Sequence, residues 1–83
     1  MDEALIRTEL RSWIQDRARG RGADTVLDDT PILDRGYLTS LDVAEFVILI
    51  ESLRNEEIDA DLIEPASFTS LNQIWDVFFA GRS

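Results

Sequence analysis

The sequence predicts a small all-α domain of three main helices plus one short helical turn. In three segments, apolar residues recur at the spacing of an amphipathic helix. The chain has 83 residues, of which 45% are hydrophobic, enough for one core and too many for a disordered chain. Without cysteine, no disulfide can support the fold. We therefore expect one domain, spanning residues 1–83, that is stabilised by helix packing.

The first helix is expected from about Asp2 to Arg19, and Gly20-Arg21-Gly22 ends it. Its apolar stripe consists of Ile6, Leu10, Trp13 and Ile14. A long loop follows, from about Ala23 to Thr39, with turns at Asp29-Thr30-Pro31 and at Gly36. A loop of this length should pack its own apolar residues on the domain. These are Val26, Leu27, Ile32, Leu33 and Leu38.

The second helix is expected from Leu41 to about Arg54. Its many valines and isoleucines leave a strand as the competing prediction, but the segment length and the i, i+3, i+4, i+7 pattern favour a helix. The buried stripe should comprise Phe46, Val47, Ile50 and Leu53.

A polar connection at residues 55–58 leads to a short helical turn at Asp59–Ile63, which stops before Pro65. The last helix should be capped by Thr69 or Ser70. Its apolar residues are Leu71, Ile74, Trp75 and Phe78. Trp13, Trp75 and Phe78 are expected in the core, and Phe79 at a frayed end.

The negative charge lies in one part of the chain. Residues 1–27 have as many arginines as acids, so the net charge of −9 arises entirely from residues 28–83. This charge repels nucleic acid and anionic membranes and attracts partners with basic patches. The chain has neither an apolar stretch of the roughly 20 residues that span a bilayer nor a signal-peptide pattern, so a cytoplasmic protein is expected.

The residue types present exclude most catalytic chemistry. Histidine, cysteine and lysine are all absent, which excludes a Ser-His-Asp triad, a thiol nucleophile, a Schiff base and a typical zinc site. The segments 28–39 and 55–66 do not have the ligand spacing of a calcium loop. Paired carboxylates could act as acid and base, but so small a domain offers little cleft to desolvate them. We expect no enzyme activity and no metal site.

Ser40 is the main candidate for function. In Gly36-Tyr37-Leu38-Thr39-Ser40-Leu41-Asp42 it stands where the loop becomes the second helix. A serine at this position often serves only as a helix N-cap. Alternatively, the free N–H groups and the positive end of the helix dipole would stabilise a phosphate attached to it.

The surroundings of Ser40 resemble those of the modified serine in the acyl carrier and peptidyl carrier protein family. Ser40-Leu41 with Asp42-Val43-Ala44-Glu45-Phe46 is similar to the start of that family's second helix. Thr30-Pro31-Ile32-Leu33 and Gly36 match the preceding loop. Ile58, Ala66-Ser67-Phe68-Thr69-Ser70-Leu71 and Ile74 match the third-helix region and the start of the fourth helix.

The resemblance implies a four-helix bundle in which a phosphopantetheinyl transferase attaches 4'-phosphopantetheine from coenzyme A to Ser40. The thiol of this arm would then hold an acyl or aminoacyl group as a thioester. Further partners would be acyltransferases, adenylating ligases or ketosynthase-type enzymes with basic docking surfaces. The free carrier is expected to be a monomer.

The sequence departs from the family at three places. Thr39 stands where fatty-acid carriers usually have aspartate, and Arg54 stands where an aromatic residue is common. Tyr37-Leu38 differs from the small residues of fatty-acid carriers, which favours a carrier of polyketide or nonribosomal peptide (antibiotic-type) biosynthesis. The start at methionine and the end just past the last helix favour a stand-alone protein, although an excised domain would look similar. The alternatives are a primary fatty-acid carrier and an unmodified acidic helical adaptor.

The second helix is the expected docking surface. Val43, Ala44 and Ile48 should face solvent, although Val43 and Ile48 could instead be partly buried against the loop. Glu45 and Glu51 flank them and suit a partner with a basic rim. The full set of expected partner contacts is Thr39, Leu41, Asp42, Val43, Ala44, Glu45, Ile48 and Glu51.

Overall fold

The computed structural model describes residues 2–21 and 25–80. These residues form three α-helices and no β-strand: α1 at Glu3–Ala18, α2 at Ser40–Arg54 and α3 at Leu71–Phe78. Short 3-10 turns lie at Arg19–Arg21, Ala60–Leu62 and Pro65–Phe68. The prediction of a small all-α chain is confirmed. The predicted end of the first helix includes Gly22, and the predicted loop begins with Ala23 and Asp24. These three residues lie outside the described residues.

Each helix begins at a side chain that accepts hydrogen bonds from free N–H groups of the first turn. Asp2 caps α1 by accepting from the N–H of Ala4 at 3.0 Å. Ser70 caps α3 by accepting from the N–H of Gln73 at 3.2 Å, so of the two predicted caps Ser70 is the one used. Such caps satisfy donors that have no partner within the helix.

Aromatic rings connect the three helices through the core. Trp13 of α1 stacks on Phe46 of α2 with ring centroids 4.9 Å apart. Phe46 lies 6.3 Å from Phe68, which in turn lies 5.3 Å from Phe78 of α3. Trp13 is only partly buried, because its ring covers one side of Phe46 at the edge of the core.

The end of α3 is packed rather than frayed. Phe79 is buried and stacks on Trp75, with ring centroids 5.2 Å apart. The N–H of Phe79 also donates to the carbonyl of Trp75 at 2.9 Å. The prediction of a frayed Phe79 is therefore wrong. Leu53, predicted to be buried, is only partly buried near the end of α2.

The loop before α2 packs most of its apolar side chains on the helices. Val26, Ile32 and Leu38 are buried, and Leu33 is partly buried. The expectation for Leu27 is wrong, because its side chain is exposed. The hydroxyl of Thr30 accepts from the N–H of Leu27 at 2.8 Å, and this tight turn buries Thr30 instead.

After α2 the chain returns along the same helix. The N–H of Ile58 donates to the carboxylate of Glu51 at 2.9 Å, whereas Pro65 lies beside Ser40 at the other end of α2. The predicted short helical turn is present as the 3-10 turn Ala60–Leu62, and the second turn, Pro65–Phe68, was not predicted. In the described part of the chain, no helix has the length and apolar character needed to cross a membrane.

Candidate functional site

Ser40 is the first residue of α2, and the cap is its neighbour. The hydroxyl of Thr39 accepts from the N–H of Asp42 at 3.2 Å, which makes Thr39 the N-cap. Ser40 is exposed, and its hydroxyl makes no hydrogen bond to any residue in 2–21 or 25–80. The capping function that could have explained Ser40 thus belongs to Thr39.

Asp42 holds this helix start to the loop and to α1. Its Oδ2 accepts from the backbone N–H of Thr39 at 2.9 Å and from the hydroxyl of Thr39 at 3.0 Å. Arg21 donates to the same oxygen at 2.6 Å and to the carbonyl of Tyr37 at 2.8 Å. One buried carboxylate therefore joins the end of α1, the loop and the first turn of α2.

The pKa of Asp42 is lowered from its ordinary value, mainly by the hydrogen bond from the Thr39 backbone N–H. The hydrogen bonds from Arg21 and from the Thr39 hydroxyl lower it further, whereas burial acts in the opposite direction. Asp42 is therefore ionised at neutral pH and cannot serve as a general acid. The carboxylate of Asp42 is buried, and its predicted contact with a partner protein stays a prediction.

The two flanking glutamates also have partners within the chain. Glu45 pairs with Arg17, and this hydrogen bond is the main cause that raises the pKa of Arg17. The guanidinium of Arg17 also lies 4.7 Å from the ring centroid of Trp13. Glu51 accepts the N–H of Ile58 and so orders the chain beyond α2. Both glutamates therefore have structural contacts besides any contact with a partner.

A cleft of about 290 Å³ opens beside Ser40. Its walls come from the loop, from the first turn of α2 and from the chain that returns along α2. They comprise Leu33, Leu38, Thr39, Ser40, Val43, Ile63, Glu64 and Pro65. Most of these side chains are apolar, so the cleft suits an apolar or weakly polar group close to the serine.

Gly36 shapes the loop wall of this cleft. It has a φ of 70°, a left-handed conformation that side chains disfavour. Its N–H donates to the carbonyl of Leu33 at 3.0 Å, and the N–H of Tyr37 donates to the carbonyl of Ile32 at 3.0 Å. This turn buries Tyr37 and Leu38 directly before the helix start.

An apolar stripe on the outer face of α2 lies next to Ser40. Leu41 is 70% exposed and Ile48 is 67% exposed, and the exposed Ala44 lies between them. These residues recur at helical spacing, so they share one face. Ala44 and Ile48 face solvent as predicted. Val43 is partly buried and lines the cleft instead, in agreement with the alternative that it packs against the loop.

Several site residues were missed in the sequence. The pattern Thr39-x-x-Asp42 is a variant of the capping box, in which the residue three positions after the cap reaches back to it, and it could have identified the cap. No local signal indicated that Arg17 and Arg21 would meet Asp42, because these contacts join distant parts of the chain. The same holds for Ile63 and Pro65 in the cleft wall.

Within the described ranges, no three potential metal-ligating side chains come together. Comparisons with protein-family models, with curated proteins and with solved structures find no match to this chain.

Proposed function

We propose that this protein is a cytoplasmic carrier that holds acyl or aminoacyl intermediates as thioesters on a 4'-phosphopantetheine arm at Ser40. One observation carries the proposal. Ser40 begins a helix with an exposed hydroxyl that has no hydrogen-bond partner in the described part of the chain, while Thr39 provides the cap that Ser40 would otherwise supply. In this proposal the chain has the four-helix carrier architecture, with residues 59–68 in place of the short helix.

Attachment of the arm needs an external enzyme. The Ser40 oxygen would form a bond to phosphorus in coenzyme A, and the bond to the nucleotide half would break, so that the nucleotide leaves. This chain has no histidine or lysine to accept the serine proton, and Asp42 is held by Arg21. A phosphopantetheinyl transferase must therefore supply the base. The attached phosphate would lie beside the free N–H groups of the first turn of α2.

The cleft offers the arm and its cargo partial shelter. Its volume of about 290 Å³ is at the lower limit of small-molecule pockets. It could therefore cover the part of the arm nearest to Ser40, while a larger cargo would have to separate α2 from the returning chain.

The stripe formed by Leu41, Ala44 and Ile48 is the proposed docking surface. It is apolar and exposed, and the net charge of −9 surrounds it with a negative field. Partner enzymes with an apolar centre and a basic rim fit such a surface. They would include the transferase and the acyltransferases, adenylating ligases or ketosynthase-type enzymes of polyketide or nonribosomal peptide biosynthesis.

The test is an intact-mass measurement after incubation with coenzyme A and a broad-specificity transferase. The wild type should gain the mass of one arm. Ser40→Ala should gain none, while its helical circular dichroism should remain unchanged. Ser52→Ala is the matched control, because Ser52 is also an exposed serine of α2, and it should gain one arm. A modified Ser40→Ala variant would show that the assignment is wrong.

Two alternatives use the same surface. An unmodified acidic adaptor would bind partners through Leu41 and Ile48, and no variant or wild type would then gain mass. A primary fatty-acid carrier would gain the arm but would be a substrate of a transferase dedicated to fatty-acid carriers. The residues Tyr37-Leu38-Thr39 favour the specialised carrier over this last alternative.

A further inference from the structure

The last residue of α2 carries a buried positive charge whose hydrogen bonds are incomplete. The side chain of Arg54 is 7% exposed. Its Nε and Nη1 are buried and have no hydrogen-bond partner among residues 2–21 and 25–80. Its Nη2 lies 3.8 Å from Oε1 of Glu56, which is longer than a hydrogen bond. A guanidinium stays charged and has five donors, so a buried one needs an acceptor.

Arg54 lies on the face of α2 that begins at Ser40. The two residues are separated by about 21 Å along the helix axis and by about 40° around it. Val43 and Val47 lie between them on that face. Val43 lines the cleft beside Ser40, and Val47 is buried. On the α2 side, the path from the serine to the cation is therefore apolar.

The returning chain forms the other side of this path. It begins at Ile58, which is bonded to Glu51 one turn before Arg54, and it reaches the cleft at Ile63 and Pro65. Ile58 is buried and holds the start of this segment in the core, whereas Leu62 is only partly buried and Ile63 is 42% exposed, so moving residues 60–65 outward would uncover little apolar surface. A slender group could thus lie between α2 and residues 60–65.

The length of the path suits a group that is tethered at Ser40. The phosphopantetheine arm has about fourteen bonds between the serine oxygen and the sulphur, so it spans about 16 Å when extended. A cargo of about three to five carbons covers the remaining distance of about 5 Å along α2. Its far end would then lie level with Arg54 along the helix axis.

Building on the proposed attachment of the arm at Ser40, we propose that Arg54 binds the free carboxylate of a tethered dicarboxylic acid half-thioester. A carboxylate can accept from two guanidinium nitrogens at once, which would satisfy the unpartnered Nε together with a neighbouring nitrogen. The methylene groups of the cargo would pack against the apolar strip at Val47. An acyl group with a methyl end would leave Nε and Nη1 of Arg54 without an acceptor.

The experiment compares two cargoes that differ only at their far end. Glutaryl-coenzyme A and pentanoyl-coenzyme A are used with the broad transferase to load the wild type and Arg54→Met, and loading is checked by intact mass. The free carboxyl carbon of the glutaryl group is labelled with ¹³C and titrated by NMR. In the wild type, the pKa of this carboxyl should lie about 1 pH unit or more below its value in Arg54→Met.

A thermal measurement provides the second result. Wild type loaded with glutaryl should melt at a higher temperature than wild type loaded with pentanoyl, and Arg54→Met should lose this difference. Arg35→Met is the matched control, since it removes an exposed loop arginine, and it should behave as the wild type. If Arg54→Met does not fold, Arg54→Lys is used instead. It keeps the positive charge without the planar guanidinium, so it should lower the carboxyl pKa less than the wild-type arginine does.

Each contrary outcome has its own meaning. If the arm is attached but the carboxyl pKa is the same with and without Arg54, the carboxylate site is refuted and the carrier function stands. If no arm is attached, the carrier function fails and this proposal fails with it. In a third experiment, free glutarate is added to the unmodified protein. If it raises the melting temperature as much as the tethered group does, Arg54 is a site for a free anion, and the tethered form of the proposal is wrong.

Discussion

Replacing Asp42 with asparagine tests whether this carboxylate holds the start of α2 in place. The substitution keeps the size of the side chain and one acceptor oxygen. It removes the negative charge that accepts from Arg21 at 2.6 Å and lies 3.6 Å from Arg17. The asparagine oxygen can still accept the backbone N–H of Thr39, which now reaches the carboxylate at 2.9 Å.

The loss should be about 2 kcal/mol in the free energy of unfolding at pH 7. The charge-assisted hydrogen bond from Arg21 contributes about 1 to 1.5 kcal/mol once the partial exposure of this arginine is considered. Weakening of the reciprocal capping box adds about 0.5 to 1 kcal/mol. For a domain of this size, 2 kcal/mol corresponds to a fall of about 10 °C in the melting temperature.

The pH dependence distinguishes this charge from the other acids. Because the folded state lowers the pKa of Asp42 from its ordinary value of 3.8, the ionised carboxylate stabilises the fold fully above that value. This contribution disappears as the pH falls through the lower pKa of the folded state. The difference between wild type and Asp42→Asn should therefore be constant from pH 7 to about pH 5 and should shrink below about pH 4.

The assay is urea unfolding, followed by tryptophan fluorescence and by circular dichroism at a series of pH values. Asp34→Asn is the matched control, because Asp34 is an exposed loop acid, and it should change the free energy by less than about 0.5 kcal/mol. A loss below about 0.5 kcal/mol for Asp42→Asn, or a loss that persists unchanged at pH 3, would refute the argument that this carboxylate joins α1, the loop and α2.

Three further substitutions test the residues around Ser40. Thr39→Asp should lower the free energy of unfolding by about 1 kcal/mol, because a second carboxylate would lie against Asp42, and it should raise modification by a fatty-acid-type transferase more than by a broad one. Equal rate changes with the two transferases would contradict the second part. Ile48→Ser should change stability by less than about 0.5 kcal/mol and slow acyl transfer to a partner enzyme, and an unchanged transfer rate would remove Ile48 from the docking surface. Glu51→Ala should lower the free energy of unfolding by about 1 kcal/mol, because the N–H of Ile58 loses its acceptor, and an unaltered urea midpoint would show that this bond contributes nothing.

The helices could be predicted because their signals are local. The apolar repeat that includes Ile6, Leu10 and Ile14 placed α1, and the hydroxyl residues before α2 and α3 marked their starts to within one residue. Residues 59–68 were harder to predict, because 3-10 turns have no apolar repeat of sufficient length. The exposure of Leu27 also could not be read from the chain, because one turn decided whether Leu27 or Thr30 would be buried.

The site was predictable only in part. The sequence placed Ser40 at a helix start, and only the pattern Thr39-x-x-Asp42 distinguished Thr39 from Ser40 as the cap. It also counted Asp42, Glu45 and Glu51 as charges available to a partner. The fold gives each of these acids a partner within the chain, and those partners are distant in the sequence or lie in turns.

The assignment of the cap to Thr39 explains how the start of α2 can be ordered while the Ser40 hydroxyl stays exposed. If Ser40 were the cap, its hydroxyl would accept an N–H of the first turn and would be turned toward the helix. With Thr39 as the cap and Asp42 returning a hydrogen bond to it, the first turn is ordered without the Ser40 side chain. Arg21 then connects this turn to the carbonyl of Tyr37, so the loop wall of the cleft is held by the same carboxylate. A change at Asp42 should therefore alter the cleft as well as the helix start, whereas a change at Ser40 should alter only the chemistry.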